Sequence, residues 1–252
     1  MKIHLVGVGG GHPDQITVHA VAQLREVDVF LVADKGSSVG DLSEARAEIL
    51  RRHVPGEPRV IQVPDPERDR QPSDYGTAVL DWHDARARAY EKVLLSLEPG
   101  TTVGFLVWGD PALYDSTIRV VERVRDFGSL DIDFDVTPGI SSVSMLAAAH
   151  RIVLNRIGGP IVITTGRALS KDVGAGADNI VVMLDGHLTC RELVGTGTWG
   201  IHWGANLGTG DEQLVSGPLD ECIGEIERKR ADLKAQHGWV MDTYLLRRLV
   251  EG

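Results

Sequence analysis

The chain has 252 residues, long for one compact core and comfortable for two α/β domains. Hydrophobic residues make up 42% and charged residues 25%, and the formal net charge of -10 repels polyphosphate. That charge excludes a general nucleic-acid binder but leaves room for a local basic pocket on a small anion.

Lys2 to Val8 reads as a first strand, buried and central, running into Gly9, Gly10, Gly11 and then His12-Pro13-Asp14. Ile16, Val18, Val21, Ala22 and Leu24 mark one face of a helix that opens near Asp14 or Thr17. Asp28 to Val32 is a second strand ending at Asp34-Lys35-Gly36. Asp41-Leu-Ser-Glu44 has the form of a capping box before a helix over 45–52, and 60–63 is a short third strand. Pro64 to Asp74 is polar and proline-rich, a loop of the length that is usually functional or mobile. A long helix follows over 75–97, then a buried strand over 103–108 that Gly109-Asp110-Pro111 cuts off. Leu113, Ile118, Val121 and Val124 turn helical, with Asp115 or Ser116 as cap. Asp131 to Val136 alternates strictly and predicts a half-exposed edge strand, and Thr137 to Ser142 leads into a small-residue helix over 144–149.

Alternating strands and helices up to about His150 predict a parallel sheet. Gly158-Gly159-Pro160 breaks the pattern, so the expected division is an N-terminal α/β domain over 1–156 and a smaller mixed-sheet domain over 157–252. Strands are expected in the latter near 161–165, 180–184, 200–205, 213–215 and 239–245, with a helix over 220–236. Only two cysteines occur, Cys190 and Cys222, without pairing or metal spacing. No signal-peptide pattern follows Met1-Lys2, and no apolar run reaches the roughly 18 residues of a membrane span. The expectation is a soluble cytoplasmic protein with neither membrane nor nucleic acid as partner.

Three loops, Val6 to Pro13, Gly109 to Ser116 and Val136 to Ser142, stand at predicted strand ends, where open α/β sheets bind small molecules. Gly7-x-Gly9 with Asp34 at the next strand end opens a dinucleotide fingerprint, which keeps an NAD(P)-dependent oxidoreductase among the readings. Its third glycine is missing, because His12 and Pro13 stand there. There is no phosphate loop with its lysine and no serine nucleophile elbow, and the nine histidines show no ligand spacing, so no metal is expected.

In this order the three loops are more specific than any one of them. Val6-Gly-Val-Gly-Gly-Gly-His-Pro-Asp14, Phe105-Leu-Val-Trp-Gly-Asp-Pro-Ala-Leu-Tyr114 and Thr137-Pro-Gly-Ile-Ser-Ser142 resemble the tetrapyrrole methylases. These are S-adenosylmethionine-dependent enzymes of corrin and sirohaem synthesis, with relatives acting on diphthine and ribosomal RNA. Gln213 to Leu219 is similar to the family's late segment, so the resemblance runs the full length. Asp28 to Gly36, the segment before Tyr75 and His237 to Arg247 look most like the members that methylate C-1 of precorrin-5 and expel acetate. The chain departs from the family at the first loop, where Gly-Pro-Gly-Asp is usual and Gly9-Gly10-Gly11-His12 stands here.

The resemblance implies two α/β domains with the cofactor cleft between them, in a homodimer that uses S-adenosyl-L-methionine and releases S-adenosyl-L-homocysteine. By motif, Gly10, Gly109, Asp110, Leu113, Ser141 and Ser142 are the implied cofactor contacts, joined by Met183 and the stretch from Ala205 to Gly208. Asp34 is the candidate general base for deacetylation. Arg68 and Arg70, with Arg51, Arg52, Arg86 and Arg167 in reserve, are candidates to pair with the substrate's carboxylates. Another precorrin as substrate remains the alternative within the fold.

Overall fold

The computed structural model describes residues 1–34, 40–66 and 75–249. Its chain divides into two compact units, Met1–Ser141 and Ser142–Gly252.

The first unit holds β1 (Lys2–Gly7), β2 (Val29–Asp34), β3 (Val60–Pro64), β4 (Thr102–Val107) and β5 (Asp133–Thr137) in one sheet of order β3-β2-β4-β1-β5. Every pairing is parallel. Each strand is followed by a helix: α1 (Val18–Leu24), α2 (Gly40–His53), α3 (Tyr75–Leu94) and α4 (Thr117–Asp126) lie between successive strands. Strand alternation sends side chains to both faces, and both are covered. Val6, Val8, Phe30 and Leu106 pack with Ala20 and Leu24 of α1 and with Ile49 and Leu50 of α2. Ile3, Leu5, Val29, Leu31, Val103 and Phe105 pack with Ala87, Tyr90 and Leu94 of α3 and with Val120, Val121 and Val124 of α4. Helices after the adjacent strands β1 and β4 therefore leave to opposite faces. That reversal is the switch point at which open sheets form a crevice.

β1 is buried from Ile3 to Gly7, and β5 is the half-exposed edge, both as the sequence patterns predict. On that edge Lys2 bridges Asp133 and Asp135 at 2.8 and 3.1 Å, and His4 Nδ1 lies 2.6 Å from Asp135. Partial burial raises the Asp135 pKa, but the hydrogen bonds from His4 and Lys2 outweigh it and hold the carboxyl below its ordinary value. The first helix opens at Thr17, one of the two expected starts, but its inward face differs from the expected one. A 3-10 turn occupies Pro13–Gln15, Thr17 caps α1 by accepting from the Ala20 amide, and Ala20 and Leu24 face inward. Val18, expected on the buried face, is 88% exposed, because α1 begins only at Val18 after a turn that is not α-helical.

The second unit opens with α5 (Ser142–His150) and continues through β6 (Val162–Thr165), α6 (Gly166–Gly174), β7 (Asn179–Met183), β8 (Trp199–Ala205), β9 (Gln213–Pro218), α7 (Leu219–His237) and β10 (Asp242–Arg248). Its sheet, of order β6-β7-β10-β8-β9, is parallel at β6/β7 and antiparallel elsewhere. Trp199, Ile201, Trp203, Tyr244, Leu246, Ile180 and Val182 form a core with Leu169 of α6 and Leu219, Ile226 and Leu233 of α7. α5 covers the other face: a Cβ at Gly204 would touch Leu146, and His150 Nε2 lies 3.0 Å from the Trp203 carbonyl. This packing is why the division falls at 141/142 rather than near 156/157. The glycines at 158–159 interrupt the chain, but α5 already belongs to the second sheet.

Candidate active site

The carboxyl ends of β1, β4 and β5 carry the three glycine-containing loops, and the backbone holds them against each other. Gly9 and Gly109 form an antiparallel bridge, with the Gly109 amide donating to Gly9 O at 2.8 Å and the Gly9 amide to Gly109 O at 3.2 Å. A Cβ at Gly139 would stand 2.0 Å from the Gly109 oxygen and 2.7 Å from the Gly7 carbonyl carbon. A Cβ at Gly7 would stand 2.5 Å from the Gly139 nitrogen. No side chain fits at either position, so contact between loops that are distant in sequence requires glycine on both sides. Gly11 lies equally close to the Trp108 ring, which packs over the first loop.

Asp110 fastens the second loop to the third. Its Oδ1 accepts from the Ala112 amide at 2.8 Å and its Oδ2 from the Gly139 amide at 3.0 Å. The carboxylate expected at the cofactor is thus committed to the loop frame, and what Asp110 offers outward is backbone. Leu113 is half-buried in the turn closed by its amide on Asp110 O, and Gly10 is buried. Gly109 differs from its neighbours: at φ +67° it has open space where a side chain would point. Ser141 ends this unit, half-buried. His12 accepts from the Asp14 amide through Nδ1 and caps the 3-10 turn. Asp115, not Ser116, meets the first α4 amide, accepting from Thr117 N at 2.6 Å.

Asp34 closes β2, exposed, and its carbonyl accepts from the Asp65 amide. Arg68 and Arg70 lie outside the described residues. Of the reserve arginines, Arg51 pairs with Glu48, Arg52 pairs with Asp14 at 2.6 Å, and Arg86 pairs with Asp65 at 2.9 Å. Arg167 sits in the first turn of α6 in the second unit.

The remaining expected contacts gather at one edge of the second sheet. Met183 ends β7 and Ala205 ends β8, while β10 runs the other way between them, so its first residues share that edge. Thr243 pairs with Met183 on one side and Gly204 on the other, and its hydroxyl donates to Ser142 Oγ at 3.0 Å. The Gly208 amide donates to Glu212 at 2.9 Å, closing a turn that starts at Asn206 in a left-handed conformation. Thr243 was not expected from sequence, because a lone threonine in a strand carries no signal.

A buried polar centre lies behind this edge. Asp185 is 4% exposed and accepts from the Tyr244 hydroxyl, the Thr189 amide and hydroxyl and the His187 amide. Arg230 donates to the Asp185 and Gly186 carbonyls and to Asp242, which also accepts from Trp203 Nε1. Burial raises the Tyr244 pKa far beyond its ordinary value and pushes the Cys190 thiol up to about 12, so both stay neutral. A separate hollow of about 440 Å³, lined by Arg156, Gly200, His202, Ser216, Pro218 and Arg247 among others, sits toward the opposite ends of these strands. Among the described residues no group of three or more His, Cys, Asp or Glu side chains is arranged to hold a metal ion.

The family model of the tetrapyrrole (corrin/porphyrin) methylases matches residues 2–223. A precorrin-6A synthase [deacetylating] from Sinorhizobium sp is 43% identical over 250 residues, covering 98% of this chain and 95% of that protein. The crystal structure of a putative cobalamin synthesis related protein (CobF) from Corynebacterium diphtheriae superposes with a TM-score of 0.85 at 37% identity, covering 99% of this chain and 100% of that one. The uroporphyrin-III C-methyltransferase of Thermus thermophilus in complex with S-adenosylhomocysteine shares the fold, with a TM-score of 0.59 at 17% identity over 98% of this chain and 97% of that one.

Proposed function

The chain belongs to the tetrapyrrole (corrin/porphyrin) methylase family, and from that premise we infer that it is an S-adenosylmethionine-dependent C-methyltransferase of cobalamin biosynthesis, a precorrin-6A synthase of the deacetylating kind. Its reaction methylates C-1 of precorrin-5 and releases acetate. The observation that carries the assignment is identity of 43% sustained over nearly the full length of both proteins.

The loop chemistry fits the cofactor. Residues 8–15, 108–116 and 138–142 contain no lysine or arginine, so they offer backbone groups, hydroxyls and apolar walls. That donor set suits a nucleoside carrying a sulfonium, and a dinucleotide is disfavoured because a 3-10 turn over Pro13–Gln15, not an α-helix N-terminus, follows the glycines. We place Gly10, Gly109, Asp110 (through its backbone), Leu113 and Ser141 of the first unit among the cofactor contacts, and Ser142, Met183, Ala205 and Gly208 of the second on motif grounds. When bound, S-adenosylmethionine supplies an electrophilic methyl group. The chain's own task is to hold donor and acceptor at attack distance, and orientation of that kind is worth roughly 7–11 kcal/mol of barrier.

Deacetylation needs proton transfer as well. Water adds to the acetyl carbonyl and gives up a proton to a base. The ring–acetyl bond then breaks, acetate leaves, and the bonding pair stays on the ring carbon that takes the methyl group. Asp34, an exposed carboxylate at the end of β2, is the proposed base. Arg68 and Arg70 remain proposed partners for substrate carboxylates. The proposal extends to a cytoplasmic homodimer. Two free, buried cysteines suit a reducing compartment, and no described helix is long and apolar enough to cross a membrane.

Incubation with precorrin-5 and S-adenosylmethionine, followed by mass spectrometry, tests the assignment: a methylated, deacetylated product with one acetate supports it, and recovery of unchanged precorrin-5 overturns it. Asp34→Asn should then slow acetate release by about 10²–10⁴-fold with S-adenosylhomocysteine affinity intact. Acetate release at the wild-type rate would dismiss Asp34 as the base.

A further inference from the structure

Two arginines stand together near the carboxyl end of β3, and they are provided for differently. Arg86 of α3 has an anion: its Nε is 2.9 Å from Asp65, its Nη1 donates to Ser116 at 3.1 Å, and its guanidinium lies 4.8 Å from the centre of the Trp82 ring. Trp82 is itself fixed through Nε1 to the Pro66 carbonyl. Arg46 of α2 lies one turn before Ile49 and Leu50 and so projects from the core-facing side of its helix. Its Nε is buried and has no hydrogen-bond partner among the described residues.

On balance the surroundings disfavour its charge. Burial lowers the Arg46 pKa most, and the neighbouring Arg86 lowers it further. Asp115 and Tyr90 act the other way, but one Asp115 oxygen already accepts from the Thr117 amide, and burial keeps the Tyr90 hydroxyl protonated. A buried guanidinium without a partner is costly, and it is retained where a ligand's anion completes the pair.

We propose that Arg46 is a specificity-determining residue of this enzyme that receives a carboxylate of the tetrapyrrole substrate, with Arg86 held beside it by Asp65 and Trp82 as a fixed second positive charge. The proposal rests on the methyltransferase reading for the identity of the ligand. Its geometry stands on the buried Arg46 Nε, which has no hydrogen-bond partner among the described residues. A planar fork of donors suits a carboxylate, and the polar cost of leaving Arg46 unpaired discriminates against ligands that lack one there.

The test uses the full-length protein and two variants, Arg46→Gln and Arg46→Lys. Losing a charge-assisted hydrogen bond should raise the KM for precorrin-5 about ten- to a hundredfold in Arg46→Gln. Its kcat should change by less than about threefold, and Arg46→Lys should recover part of the loss. S-adenosylhomocysteine affinity should stay at the wild-type value, and thermal stability should hold or rise, since no described protein partner is orphaned and a costly buried charge is removed. A second arm needs no turnover: uroporphyrin, a tetrapyrrole octacarboxylate, is titrated by its absorbance, and Arg46→Gln should bind it about tenfold more weakly. Unchanged KM with unchanged uroporphyrin affinity would overturn the proposal and leave Arg46 a structural residue. If the wild type binds uroporphyrin through Arg46 yet leaves precorrin-5 unconverted, the substrate assignment fails while the carboxylate site stands. No uroporphyrin binding by the wild type, together with an unaltered KM, overturns the site itself.

Discussion

The two strand-end edges of this molecule are stabilised by opposite means. In the first unit the loops meet backbone to backbone, through Gly7, Gly9, Gly109 and Gly139, with one carboxylate, Asp110, fastening two of them. In the second unit the edge rests on buried polar side chains, Asp185 and Asp242, served by Tyr244, Thr189, Trp203 and Arg230. The first arrangement leaves open space over Gly109 for a ligand to approach main chain. The second fills its interior and offers rigidity. An edge assembled from glycine presents amides and carbonyls, whereas one assembled from satisfied side chains has used its polar groups already.

The sharpest way to break this contrast is at Asp185. Asp185→Ala removes the acceptor for the Tyr244 and Thr189 hydroxyls and two amides in a site with little water, and should cost about 3–5 kcal/mol of stability. Denaturant unfolding measures it. A loss under about 1 kcal/mol would mean that the polar centre is not what holds the second edge. Gly139→Ala probes the first edge. With Gly109 O and Gly7 in the way, the loops must separate, at about 1–3 kcal/mol, and S-adenosylhomocysteine binding should fall with them. Unfolding and calorimetry read the two effects together; full affinity in a stable variant would show that the loop contact is dispensable.

These edges were unequally legible in the sequence. Glycines between an apolar run and a helix are a local signal, so the three loops and their place at strand ends could be read without coordinates. The contacts of Asp185 span residues 185 to 244, and no spacing rule links an aspartate after one strand to a tyrosine in another. One hint existed: the apolar run Val181-Val-Met-Leu184 is followed by an aspartate, Asp185, as the earlier apolar runs are followed by Asp110 and Asp34. The unit boundary was obscured for a related reason. Gly158-Gly159-Pro160 is the louder local break, but long-range packing of α5 on β8 and β10 decides which sheet owns that helix. Arg46 went unread because a single arginine in an amphipathic helix looks solvated until its surroundings are known.

A smaller effect concerns acid. Burial lowers the His202 pKa, with His150 and Arg247 adding to it, so the folded state binds its proton less readily than the unfolded chain. A lowered folded pKa contributes stability that is present above the unfolded value near 6.5 and is lost as pH falls through the folded one. The depressed Asp135 pKa acts with the same sign in a more acidic window. Unfolding midpoints should therefore decline below about pH 6.5, and His202→Gln should flatten the first part of that decline while leaving the second. An unchanged slope in the variant would remove His202 from the account.

The glycine-built edge is the centre of this reading, and ligand titration addresses it most directly. Trp108 packs on Gly11 and adjoins Gly109-Asp110, so tryptophan fluorescence reports on that edge. S-adenosylhomocysteine should bind and change the emission, whereas NAD and NADP should leave it unaltered, because the glycines of the first loop lead into a 3-10 turn and not into the α-helix N-terminus that would hold a pyrophosphate. Tight NAD or NADP binding with no response to S-adenosylhomocysteine would contradict the account.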